Sequence, residues 1–118
     1  MDAIEGVGLL RDALSEVPGL SAQTSADVDP PAVVVGPPAL EWEDYSSAPS
    51  TGRYPVWLVV TGGDGATEQL LGLVPVVAAA IDSVDNAVLL RADPGVYPSS
   101  AGSDLPAYQF QVEIALGG

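Results

Sequence analysis

Three groups of side chains have types and spacings that could do chemistry. The first is the acidic run Glu41, Glu43 and Asp44. On a strand, alternation puts Glu41 and Glu43 on one face, where two carboxylates can converge on a divalent cation or share acid–base work. The spacing matches no EF-hand loop, and no partner for hydrolysis accompanies it, so a solvated strand face is the preferred reading. The second is Gly62-Gly63-Asp64-Gly65, a glycine turn between an apolar strand and a helix, where backbone amides could cradle a phosphate. In Gly63-Asp64-Gly65-Ala66-Thr67-Glu68, however, Glu68 stands where the dinucleotide fingerprint has its third glycine. Asp64 and Glu68 would both repel a pyrophosphate. A tight strand–helix turn with Asp64 or Thr67 as helix cap is expected instead. The third is the aromatic set Trp42, Tyr45, Tyr54 and Trp57. Stacking platforms for bases work together with positive grooves, and none accompanies these rings. They read as core or as protein interface.

What is missing narrows the chemistry further. The chain has no His, no Cys and no Lys. Disulfides, thiolate nucleophiles, Cys/His zinc sites, His general bases, Schiff-base lysines and the P-loop lysine are all excluded. No cofactor and no enzymatic activity are expected.

The charge balance is one-sided. Sixteen Asp and Glu face three Arg (Arg11, Arg53, Arg91), giving a formal net charge of −13. Such a field repels phosphate backbones and anionic lipid heads, which argues against independent nucleic-acid or membrane binding. It suits a channel wall past which DNA must slide without sticking, and it also suits simple solubility. No breaker-free apolar run is long enough for a membrane span. The acidic start, Met1-Asp2-Ala3-Ile4-Glu5, lacks the basic region of a signal peptide, so a cytoplasmic origin is expected.

The elements that position these residues follow from periodicity, and at 118 residues they are expected to form a single domain spanning 1–118. Asp2 to Glu16 forms an amphipathic helix with Ala3, Val7, Leu10, Leu14 and Val17 in one stripe. Asp2 caps it, with Glu5 in the capping-box position, and Gly6 and Gly8 weaken it. Strands are predicted over Leu20–Ser25, Ala32–Val35 and Ala39–Tyr45, the last half-buried with Leu40 and Trp42 inward. Ser46–Arg53 reads as a loop. Tyr54–Thr61 is the central strand, apolar on both faces and so needing cover on both, with Pro55 tolerated at its start.

Thr67 to Ser83 is helical in composition, and Pro75 predicts a kink or two consecutive helices. Its apolar arc is wider than one sheet face needs. Asn86–Asp93 is a strand, Pro94–Pro106 a long loop, and Ala107–Leu116 a strand with Tyr108, Phe110, Val112, Ile114 and Leu116 inward. The order is α-β-β-β-β-α-β-β. The fold class is α+β: one small domain, a mixed, mostly antiparallel sheet, with the N-terminal helix and the Pro-interrupted second helix on one face. Helices cover one face of Tyr54–Thr61. Either Ala32–Tyr45 folds over the other, or a neighbouring subunit does.

A short amphipathic helix ending in Val17-Pro18-Gly19-Leu20 opens the chain. Next come the Pro30–Val35 strand, a Tyr-bearing acidic strand and Pro55-Val56-Trp57-Leu58-Val59-Val60. A Pro-interrupted helix and two further strands complete it. Over nearly its whole length this pattern resembles the small tail terminator proteins of long-tailed bacteriophages. The resemblance implies an α+β virion protein, assembled in the cytoplasm of the infected bacterium, that forms a homo-hexameric ring. Such a ring caps the completed tail tube, ends its polymerisation and meets the head–tail connector, while DNA passes through the channel without specific binding. A head-completion or stopper neck protein shares these expectations. A stand-alone adaptor domain, or a small ligand- or nucleotide-binding module, is the alternative from another class. Loop exposure places Trp42, Tyr45 and Arg53 near one interface, and Tyr97 with Asp104 near another.

Overall fold

A computed structural model of the chain describes residues 2–23, 30–43, 47–98 and 104–116. Asp2 is extended and its carboxylate accepts the Glu5 amide at 2.8 Å, so the helix begins one residue later, as α1 (Ala3–Ser15). Leu10 and Leu14 are fully buried, Ala3 and Val7 partly so, and Val17 closes the stripe. The expected amphipathic helix is present.

The remaining elements are β1 (Ser21–Gln23), β2 (Ala32–Val35), β3 (Ala39–Glu41), β4 (Thr51–Val59), α2 (Ala66–Asp82), β5 (Ala87–Pro98) and β6 (Asp104–Ala115). The order is the one the sequence predicts. The sheet runs β1-β2-β4-β6-β5 with β3 paired to β4, and only β1–β2 is parallel. Tyr54, Val56, Leu58 and Val60 join Val33, Val35, Phe110, Val112 and Ile114 in one core with residues of both helices. The class is α+β, a mixed and mostly antiparallel sheet with both helices on one face.

Boundaries differ from expectation in four places. β4 starts at Thr51, so Pro55 is interior rather than initial. The Gly36 amide donates to the Pro55 carbonyl at 2.8 Å, which puts the missing Pro55 N–H on the flank facing β2 and β3. There β2 has just ended at Val35 and β3 begins at Ala39, so no ladder bond is lost. β3 stops at Glu41 and is exposed throughout, because it pairs only with Thr51–Arg53. Leu40 and Trp42 are therefore not inward-facing.

α2 is one uninterrupted helix through Pro75. Pro75 and Leu71 are both exposed, so the Leu71 carbonyl that loses its partner can bond water. Its N-cap is Gly65 at φ 84°, with no capping side chain, so neither Asp64 nor Thr67 serves. The left-handed backbone reverses the chain there, a conformation that glycine adopts without strain.

Of the expected loop Pro94–Pro106, residues 94–98 and 104–106 are strand and 99–103 lie outside the described residues: β5 and β6 stay paired past the end of β4 as a two-stranded arm. Its prolines sit where the ladder does not need them. Leu116 donates to Ser50 and Val60 to the Pro106 carbonyl, so even-numbered β6 residues bond toward β4, while Ala115 bonds Asn86 and odd-numbered ones face β5. By register, Arg91, Asp93, Gly95 and Tyr97 turn their amides inward, whereas Ala92, Pro94, Val96 and Pro98 lie on the free edge. Pro94 and Pro98 thus lose nothing and deny an incoming strand its donors. A bulge at Leu89/Arg91 breaks the same edge.

The second face of β4 is not covered by the Ala32–Val35 strand, which lies beside it in the sheet. A small cluster of Val34, Val59, Tyr97 and Ala107, with Trp57 and Leu105 packed on it, closes one end. The other end carries Arg53, Gln109, Gln111 and Glu113.

Candidate interface surfaces

The residues singled out from the sequence fall at opposite ends of the sheet. Trp42 and Arg53 belong to the β3–β4 hairpin, and Tyr97 and Asp104 to the β5–β6 arm, with β4 spanning about 30 Å between them. Tyr45 lies outside the described residues.

At the hairpin, Trp42 is 50% exposed and its indole N–H donates to the Ser47 carbonyl at 3.3 Å. The two sides of the hairpin are held together by the Ser50 amide on the Glu41 carbonyl (2.8 Å) and the Glu43 amide on Ser50 Oγ (3.0 Å). Arg53 lies 3.4 Å from the Glu41 carboxylate. Asp44 lies outside the described residues, and among the described residues no group of three or more acidic side chains could hold a metal ion. Beside Arg53 a shallow depression of about 260 Å³ opens between Pro37 and Pro55, with Gln109 and Gln111 on its floor.

At the arm, exposure separates the expected pair. Asp104 is exposed at the start of β6, opposite Pro98. Tyr97 is buried: its ring meets Trp57 edge-on at 5.7 Å and 66°, so it ties the arm to the sheet rather than presenting itself to a partner. The loop-exposure argument fails for Tyr97 because its segment is strand, and the register turns it toward Trp57.

An exposed apolar surface on α2 matches the wide apolar arc of its sequence. From Leu70 to Ile81 no side chain is polar or charged. Leu70, Val77 and Ile81 take the core, which leaves Leu71 at 53% and Val76 at 43% exposed, with Gly72, Pro75 and Ala79 also in solvent. A helix apolar all round is normally buried on all sides.

Charge is distributed unevenly. Arg11 sits against Asp12 (3.6 Å), Arg53 against Glu41, and Arg91 against Asp93 through two contacts of 2.7 and 2.8 Å. That Asp93 bond and its charge raise the Arg91 pKa. Each of the three arginines is thus matched by its own neighbour. A second groove, about 490 Å³, lies between α1 and the turn after α2 and is rimmed by Asp12, Glu16 and Asp85. No helix among the described residues is long and apolar enough to cross a membrane.

No protein-family model and no curated protein matches the chain.

Proposed function

We propose that this chain is a structural subunit of a tail terminator-like ring: copies associate side by side, cap a completed phage tail tube, end its polymerisation and offer the far surface to the head–tail connector. The observation that carries this reading is the outer face of α2. A chain with net charge −13 leaves an uncharged ridge of Leu71, Pro75, Val76 and Ala79 in water. Contiguous apolar surface on a small domain marks an interface. A second copy suits it, because a contact placed where no charge lies meets the least repulsion between two acidic chains. The acidic surface elsewhere suits a channel that DNA traverses without adhering.

Deleting the gene in the phage tests the role. Overlong or headless tails are expected if the ring ends tube growth. Normal tails beside unjoined heads contradict tube termination and assign the chain to the head-side stopper instead.

A further inference from the structure

We propose that the groove between α1 and the turn following α2 docks a basic, apolar-anchored segment of a different protein. This goes beyond the ring reading and holds equally for a chain that never associates with itself. The groove has an apolar floor of Leu9, Ala13 and Val84, with Leu9 40% exposed. Its rim carries Asp12 and Glu16 from α1 and Asp85 from the turn. The α1 contribution is a single stripe, with Leu9, Asp12, Ala13 and Glu16 spaced i, i+3, i+4 and i+7.

The electrostatics there are unfavourable for the isolated chain. Neither α1 nor α2 has a basic residue in its last turn. Glu16 occupies the C-cap of α1 and Asp82 is the last residue of α2, so carboxylates stand at two negative helix ends. Helices are stabilised by cations at that end, and here both meet the opposite sign. Only Arg11, already against Asp12, lies in this stretch of α1. A cationic occupant would relieve the repulsion among Asp12, Glu16 and Asp85, the carboxylates that line the groove.

The form of the occupant follows. Among the described residues no acidic group is tight enough to hold a metal ion, so the rim charges are spread around a groove and match an extended cation. The apolar floor calls for an apolar side chain between the cationic ones. A second copy cannot supply it: the chain has no Lys, and its three Arg are dispersed and paired. The segment belongs to another protein.

The test titrates the full chain with a labelled synthetic helix bearing Lys on one face and Leu on the other. Its Glu-for-Lys counterpart, an all-Lys peptide and spermine are run in parallel. The Lys/Leu helix should bind, weaken with added salt, and shift the amide resonances of Leu9, Asp12, Glu16 and Asp85. Leu9→Ser, and Glu16→Lys combined with Asp85→Lys, should each weaken it by about tenfold or more. These side chains are exposed, and circular dichroism checks that the fold persists, with Glu16→Gln/Asp85→Asn as the milder pair. The proposal is overturned if the Glu peptide binds as well, or if shifts map elsewhere. It is equally overturned if spermine or the all-Lys peptide matches the Lys/Leu helix, or if the variants bind unchanged.

Discussion

Gly6 of α1 lies directly beneath the ring of Tyr54 in β4, and the two fit only because Gly6 has no side chain. A Cβ at Gly6 would fall on the Tyr54 hydroxyl and 2.7 Å from Cζ. A Cβ at Gly52 would come within 2.9 Å of the same ring, so a glycine flanks the tyrosine on two sides. The hydroxyl donates to the Ala3 carbonyl at 2.9 Å, tying the first turn of the helix to the central strand. Gly6→Ala should therefore destabilise the fold by about 1–3 kcal/mol through overpacking, despite the better helix propensity of Ala. Gly8→Ala, with nothing within 4 Å of its Cβ, should stabilise by about 0.5–1 kcal/mol. Urea unfolding of both variants checks the opposite signs.

The same tyrosine predicts a pH dependence. Burial, and secondarily the Asp2 charge, push the Tyr54 pKa above its ordinary value near 10. Tyr54 thus holds its proton more tightly folded than unfolded, and its contribution is fully present below pH ~10. Stability should fall as pH rises from there through the folded pKa. Tyr54→Phe should lose about 0.5–1.5 kcal/mol at neutral pH with its hydrogen bond, and show a shallower alkaline decline. Chemical denaturation across the alkaline range reads both.

The free edge of β5 is guarded by Pro94 and Pro98, which withhold amides from any strand that approaches. Replacing both with Thr restores those donors beside the exposed Val96. The double variant should keep its subunit fold and gain a tendency to aggregate. Light scattering over time is the readout, and unchanged solubility would contradict the role given to the prolines.

Much of this fold could be read from the chain because its signals were periodic. The α1 stripe, the alternation of Ala107–Leu116 and the element order all survive, since burial on one face enforces the period. Three of the four displaced boundaries involve prolines. Pro55, Pro75 and Pro94 look like boundaries in the sequence, but each sits where its missing N–H faces a gap, solvent or the strand's other flank. That depends on which neighbour lies on which side, which local sequence does not encode. The burial of Tyr97 was hidden for the same reason, because it depends on the register of β5 against β6. The apolar excess of α2 was visible in the sequence, and its exposure completes that signal.

Substitutions on α2 should separate folding from assembly. Leu71→Asp and Val76→Asp alter side chains that remain in solvent in the isolated subunit. Each should change unfolding free energy by no more than about 0.5 kcal/mol. Both should abolish self-association, read by sedimentation velocity.

The central claim is that the uncharged face of α2 is covered by a second copy, and native mass spectrometry of the full chain, alone and with tail tubes, tests it most directly. The expected result is a closed oligomer, about 72 kDa for six 12.0-kDa chains, that is lost in Val76→Asp. A strict 12.0-kDa monomer under both conditions would contradict it.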